Sequence, residues 1–374
     1  MEKQHQHKVK RLNIIGILVI VLLVVMVINV LLTLGVNREL LKNIEKGKEA
    51  EKPAEISLTL IRAASCQNCF NISSIENTVK NGNVKILNEE TLNENDNKAK
   101  DYITKYNIQK LPTLLITGQV DKLNLNGFTS HGDTLEFNQQ LPPYYDLTSK
   151  EVKGLVKVTV IEDSSCTDCQ SLEQLINQFK TGGVVFSKED VLDYKSASEL
   201  ISKYKIEKIP TLILSKDASV YNLISSSWNS VGSIESDGSY VFRNINPPYR
   251  DLKTNSIVGL VKVTYLADKS CTTCYDVKRH RTILLGMGLK LSVEENVDIS
   301  DSKGKEVIKL YNIKKVPIII MSKDASDYGN NFLKVWENVG SVENDGTFIF
   351  RNAEIMGTYK DLEKNEIVIP QPSG

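Results

Sequence analysis

The sequence predicts an α/β chain of three tandem domains, each a central mixed sheet flanked by helices, behind an N-terminal apolar helix. Three observations carry this. A Cys-x-x-Cys pair occurs three times, at Cys66/Cys69, Cys166/Cys169 and Cys271/Cys274, and uses all six cysteines of the chain. Each pair is followed by an apolar-Pro step, Leu111-Pro112, Ile209-Pro210 and Val316-Pro317, with the proline 46, 44 and 46 positions after the first cysteine. The pairs recur at a pitch of 100 and then 105 residues, the size of a domain with its own core.

Each domain reads in the same order. A β-rich run (56–61, 156–161, 261–266) leads into the cysteines, and a serine precedes each first cysteine (Ser65, Ser165, Ser270). A helical period follows, clearest where Leu172, Leu175, Ile176 and Phe179 precede Gly182-Gly183, so the cysteines are expected at or just before a helix N-terminus. After a further strand, a second helix is registered against the proline: Tyr106, Ile108 and Lys110 align with Tyr204, Ile206 and Lys208, and with Tyr311, Ile313 and Lys315. A short apolar strand follows each proline, at 113–116, 211–214 and 318–321. Copies two and three then share a tryptophan (Trp228, Trp336) and an Asp-Gly hairpin signal at Asp237-Gly238 and Asp345-Gly346. Copy one lacks the tryptophan, is shorter up to its Gly132-Asp133 turn, and is the copy expected to have lost activity. The copies close on Pro142-Pro143-Tyr144, Pro247-Pro248-Tyr249 and Tyr359-Lys360-Asp361. The Pro-Pro-Tyr phrase reads as a rigid domain exit rather than a ligand motif.

The resulting layout is a short basic tail (1–11), a transmembrane anchor (12–35), a charged stalk (36–54), domains at 55–150, 151–255 and 256–366, and a tail (367–374). Leu12–Gly35 is 24 residues without a charge, roughly 36 Å as a helix, enough to cross a bilayer. It is long for a signal peptide and offers no clear cleavage site, so an uncleaved anchor is expected. Basic residues flank both ends, but Lys8, Lys10 and Arg11 crowd the N-terminal edge. With the preference of disulfides for oxidising compartments, this places the N-terminus in the cytoplasm and the repeats outside it. Lysine plus arginine equals aspartate plus glutamate at 46 each, which gives no field to draw nucleic acid. His5 and His7 are too few for a metal tract.

A thiol at a helix N-terminus is stabilised as thiolate. Cys66, Cys166 and Cys271 are therefore the expected nucleophiles, and Cys69, Cys169 and Cys274 the resolving thiols. The order strand, Cys-x-x-Cys helix, strand, helix, apolar-Pro strand, hairpin resembles the thioredoxin fold, and Tyr106 to Leu115 looks like the stretch of thioredoxins that carries a cis-proline facing the cysteines. The resemblance covers about residues 55 to 365 and implies that Leu111-Pro112, Ile209-Pro210 and Val316-Pro317 bind the backbone of a protein client. The layout is loosely similar to that of protein disulfide isomerases. Where thioredoxins carry a buried strand carboxylate, six positions before the first cysteine, this chain holds Leu60, Val160 and Tyr265. Asp168, between two cysteines, disfavours further negative charge there.

The expected function is extracytoplasmic thiol-disulfide exchange on protein clients, with a separate redox partner and no cofactor beyond the disulfides. The rival is an interaction scaffold with structural disulfides. Metal binding is disfavoured because a closed site takes about four ligands and the pairs sit on separate domains. Nine positions past Cys271, His280 falls on the opposite helix face among Lys278, Arg279 and Arg281, and reads as part of an exposed basic face. Trp228 and Trp336 read as packing rather than a client surface.

Overall fold

The computed structural model describes residues 2–371, with side chains at 16, 18–42, 44 and from 52 onward. The expectations placed on side chains 1–15 and on residues 372–374 lie outside this range. One continuous helix, Glu2–Glu51, takes in both the expected anchor and most of the stalk. Among the described residues it holds the one stretch long and apolar enough to cross a membrane, Leu18–Lys42, 25 residues. Two polar side chains within that stretch bond back into the helix: Asn29 Nδ2 donates to Val25 O at 2.9 Å and Thr33 Oγ1 to Asn29 O at 2.7 Å. An apolar medium offers them no other partner.

The chain then forms two compact units, Met1–Val152 and Lys153–Gly374, the first holding one sheet domain and the second two. Each domain has a five-stranded sheet in the same spatial order. In the first, the edge strand Val84–Asn93 runs parallel to Ala54–Arg62, which pairs antiparallel with Thr113–Gly118, followed by Thr134–Phe137 and Phe128–Ser130. The second domain orders Val185–Asp193, Leu155–Glu162, Thr211–Leu214, Tyr240–Phe242 and Gly232–Ile234, and the third Lys290–Asp298, Leu260–Ala267, Ile318–Met321, Phe348–Phe350 and Gly340–Val342. The strand after each proline is buried on both faces, while the strand before the cysteines exposes Lys157 or Lys262 near its start. Helices Asn97–Tyr106, Ser198–Tyr204 and Ser302–Leu310 precede the prolines as the register predicts.

The tryptophans are core residues. Trp228 is 2% exposed, Trp336 4%, and each indole N–H donates to a hairpin carbonyl, Ser233 O or Ser341 O, at 3.1 Å. The glycine of the repeated Val-Gly-Ser makes room for them: a Cβ on Gly232 would lie 2.8 Å from Trp228 Nε1 and 2.2 Å from Val241 O. Register pairs Gly232 with Phe242, Gly340 with Phe350 and, in copy one, Phe128 with Phe137. Copy one therefore carries a phenylalanine where the others carry the glycine, and the Phe128 and Phe137 rings meet edge-on at 5.4 Å. The missing tryptophan is replaced by an aromatic ring from the strand itself.

Candidate redox site

In every domain the strand before the cysteines ends in a turn, and the first cysteine N–H closes it on the carbonyl three residues back: Cys66 on Ala63 (3.2 Å), Cys166 on Asp163 (3.0 Å), Cys271 on Asp268 (3.0 Å). All three pairs form disulfides, Cys66–Cys69, Cys166–Cys169 and Cys271–Cys274, with Cα separations of 5.4, 5.4 and 5.5 Å. The six cysteines are half-buried. The peptide bonds Leu111-Pro112, Ile209-Pro210 and Val316-Pro317 are all cis.

The helix starts just past the cysteines, which stand before its N-terminus. It covers Ser73–Lys80, Glu173–Thr181 and Arg279–Gly286, so each disulfide sits in the turn ahead of the helix and not at its first turn. Two interactions hold that turn. The N–H of the residue after the second cysteine leaves the helical path to bond the closing segment: Phe70 to Pro143 O (2.6 Å), Gln170 to Pro248 O (3.3 Å), Tyr275 to Thr358 O (2.8 Å). One residue on, a polar side chain closes a turn onto the N–H two positions later: Asn71 Oδ1 accepts from Ser73 N–H (3.0 Å), Ser171 Oγ from Glu173 N–H (3.2 Å), Asp276 Oδ1 from Lys278 N–H (2.9 Å). Since the helix dipole acts mainly within the first turn, the charges around the loop matter more than the helix end.

Those charges were not singled out from the sequence. A carboxylate from the end of the parallel strand accepts the N–H two residues before the first cysteine in every domain: Glu94 from Ala64 (2.8 Å), Asp193 from Ser164 (3.1 Å), Asp298 from Lys269 (2.7 Å). Three positions before the first cysteine, Asp163 receives the Ser165 N–H (2.9 Å) and hydroxyl (2.5 Å), and Arg250 Nε at 2.5 Å. Asp268 is held the same way by Ser270 and by Lys360 Nζ at 2.5 Å. Burial pushes both carboxyls up, but the serine and cation bonds outweigh it and hold them below the ordinary aspartate value. Copy one has Ala63 and Tyr145 in these places, and there a cleft of about 300 Å³ opens beside the disulfide, lined by Leu60, Ala63, Cys66, Cys69, Phe70 and Pro112. The cleft lies in the copy whose sequence diverges most.

The closing segment is thus part of the site and not a plain exit. Tyr144–Asp146, Tyr249–Asp251 and Tyr359–Asp361 pair with the two residues before each proline, as in Ile209↔Arg250. A single segment so grips the proline loop, the cysteine turn and, in copies two and three, the buried aspartate.

His280 contradicts its reading as an exposed basic residue. It is 3% exposed, with its ring 4.5 Å from that of Phe350. The turn after Cys274 breaks the helical count, so the angle reckoned from Cys271 does not apply. Tyr275 Oη lies 2.5 Å from Pro317 O and 3.0 Å from His280 Nε2. A carbonyl cannot donate, so the hydroxyl donates to Pro317 and accepts from His280 Nε2–H. Burial and the neighbouring Arg279 lower the His280 pKa to about 4. In the same domain Tyr265, which stands where thioredoxins carry the strand carboxylate, donates to Glu294 at 2.6 Å, and Glu294 also takes Arg281.

No protein-family model and no curated protein sequence matches the chain. Among solved structures, a domain of alkylhydroperoxide reductase AhpF from Enterococcus faecalis is 12% identical over 47% of this chain and 89% of its own, with a TM-score of 0.15. ERdj5 is 14% identical over 74% of this chain and 39% of its own, TM-score 0.15, so the chain spans about two fifths of that protein. A protein disulfide oxidoreductase from Aeropyrum pernix is 17% identical over 45% and 77%, TM-score 0.14. Likenesses this loose carry no argument about this chain. Its own strand order, disulfide turns and proline loops do: the chain is an N-terminal apolar helix followed by three thioredoxin-like domains.

Proposed function

We propose that the chain is a membrane-anchored thiol-disulfide oxidoreductase acting on protein clients outside the cytoplasm, with Cys66, Cys166 and Cys271 as the sulfurs that meet the client. The observation that carries the reading is the threefold pairing of a Cys-x-x-Cys disulfide turn with a cis-proline loop; in copy one both cysteines line one cleft with Phe70 and Pro112. In the oxidising direction a client thiolate attacks Cys66 Sγ, the Cys66–Cys69 bond breaks, and Cys69 leaves as thiolate. A second client thiolate then attacks the client sulfur of the mixed disulfide and releases Cys66. Two electrons pass from the client to the pair, and the protons lost by the client thiols end on the two cysteines. The reverse sequence reduces a client. Leu111-Pro112, Ile209-Pro210 and Val316-Pro317 are proposed to receive the client backbone, and a separate redox partner to reset the pairs.

Serine in place of a resolving thiol removes the internal escape from the mixed disulfide. Cys69→Ser or Cys169→Ser in the full-length chain is therefore expected to accumulate client adducts that dissolve in dithiothreitol. If no substitution of Cys69, Cys169 or Cys274 traps a protein, the scaffold reading replaces this one. The Leu18–Lys42 helix supports anchoring: the protein is expected in the pellet after carbonate extraction, with the repeats cleaved by protease added outside intact cells. Protected repeats would place them in the cytoplasm.

A further inference from the structure

The second and third domains lie in one compact unit, and the third reaches the redox turn of the second. Lys290, the first residue of the strand Lys290–Asp298, places its Nζ 3.2 Å from Oδ1 of Asp168, the residue just before Cys169. Its position is fixed from behind. The Lys290 backbone N–H donates to Tyr328 Oη at 2.7 Å, and that hydroxyl donates to Gly259 O at 2.8 Å. Gly259 in turn sits so close to the second domain that a Cβ there would come 2.2 Å from Pro247 Cβ, next to the Pro248 whose carbonyl holds Gln170. The same stitch occurs one repeat earlier, where Val185 N–H donates to Tyr221 Oη and that hydroxyl to Gly154 O. There the lysine position is Val185 and the aspartate position is Asn68, so only the later repeat carries the charge pair.

We propose that Lys290 is a positioning residue for the redox pair of the second domain, supplied by the third domain, which cancels the charge of Asp168 beside the Cys166 thiolate. This rests on the exchange reading above and names a control on one of its three pairs. Reduction leaves a negative sulfur in a turn that already holds a carboxylate, and an ammonium on that carboxylate removes the penalty. Two other carboxylates by the turn are bonded elsewhere: Asp163 to Arg250 and Ser165, Asp193 to Ser164 and the Lys195 N–H. The Lys290–Asp168 pair is half-exposed, 48% and 45%, so its effect is that of a surface pair and is screened by salt.

The test is the rate of iodoacetamide alkylation of Cys166 in the reduced full-length chain, read by peptide mass spectrometry against pH, with Cys66 and Cys271 in the same molecule as references. At low ionic strength and pH 6–7, Lys290→Met is expected to slow Cys166 by about 2- to 5-fold relative to those references. Lys290→Arg should keep the wild-type rate, and about 1 M salt should erase the difference. In the Asp168→Asn background, Lys290→Met should change nothing. An absent effect of Lys290→Met, or one of equal size with and without Asp168, overturns the proposal. Because alkylation needs no client, a failure of client trapping would remove the exchange reading without altering this result.

Discussion

Replacing Arg250 with alanine is expected to destabilise the second domain by about 3–5 kcal/mol, the usual result of stranding a charge inside a protein. The Asp163 side chain is 1% exposed and Arg250 13%, and the remaining carboxylate would keep only the Ser165 bonds. Asp163→Ala should cost a similar amount from the other side. Substituting both partners with apolar side chains of like size, Asp163→Leu with Arg250→Met, should recover most of the loss. The chain has two tryptophans, one in each of the last two domains. In a Trp336→Phe background, Trp228 fluorescence against denaturant therefore reports the second domain alone. The pH dependence has a definite sign. Asp163 titrates below the ordinary aspartate value in the folded domain, so its contribution is complete above the ordinary value and disappears as pH falls through the folded one. A loss below about 1 kcal/mol for Arg250→Ala would mean that the pair behaves as if solvated. The first domain, with Ala63 and Tyr145 in these places, is expected to show no corresponding component.

The third domain should lose about 3 kcal/mol between pH 6.5 and pH 4 through His280 alone. Its imidazole is held neutral by burial and by Arg279, with a pKa near 4 against 6.5 for a free histidine. Across that interval the unfolded chain binds a proton that the folded chain refuses, at about 1.4 kcal/mol per pH unit, so stability is complete above 6.5 and falls with pH. The groups around the ring are Tyr275, Phe350 and Arg279. Trp336 fluorescence in a Trp228→Phe background, followed over a pH series, measures the slope. His280→Leu with Tyr275→Phe, the kind of apolar pair that copy one has at Phe70 and Ile75, should flatten it. An unchanged slope in that double variant would assign the acid sensitivity to the carboxylates.

The sheet was legible because its strands repeat. A run such as Ile318 to Met321 is apolar on both faces, and three aligned copies fix the register to the proline. The proline loop was legible for the same reason. The turn between the second cysteine and the helix was not, because Asn71, Ser171 and Asp276 shape it by side-chain bonds to the backbone two residues on. His280 was misplaced by the same error, since nine residues of presumed helix include a turn. The Asp163–Arg250 bond joins positions 87 apart, and neither residue has a charged counterpart in copy one, so no local pattern shows it. The Pro-Pro-Tyr phrase was recognised as a repeat, but its bonding to the cysteine turn follows only from the strand that it forms beside the proline loop.

The gripping of each cysteine turn by the last strand of its own domain fixes an order of events during synthesis. Cys166 leaves the ribosome 84 residues before Arg250, and at about 5–20 residues per second that is about 4–17 seconds. For that interval the second pair has neither the Pro248 carbonyl nor the Arg250 guanidinium to hold it, and its sulfurs are as open to a stray thiol as those of an unfolded chain. The nascent protein is thus for a time a client of the kind of chemistry that the finished one is proposed to perform. Each of its three pairs passes through that window in turn, and each window closes only when the C-terminal strand of the same domain emerges.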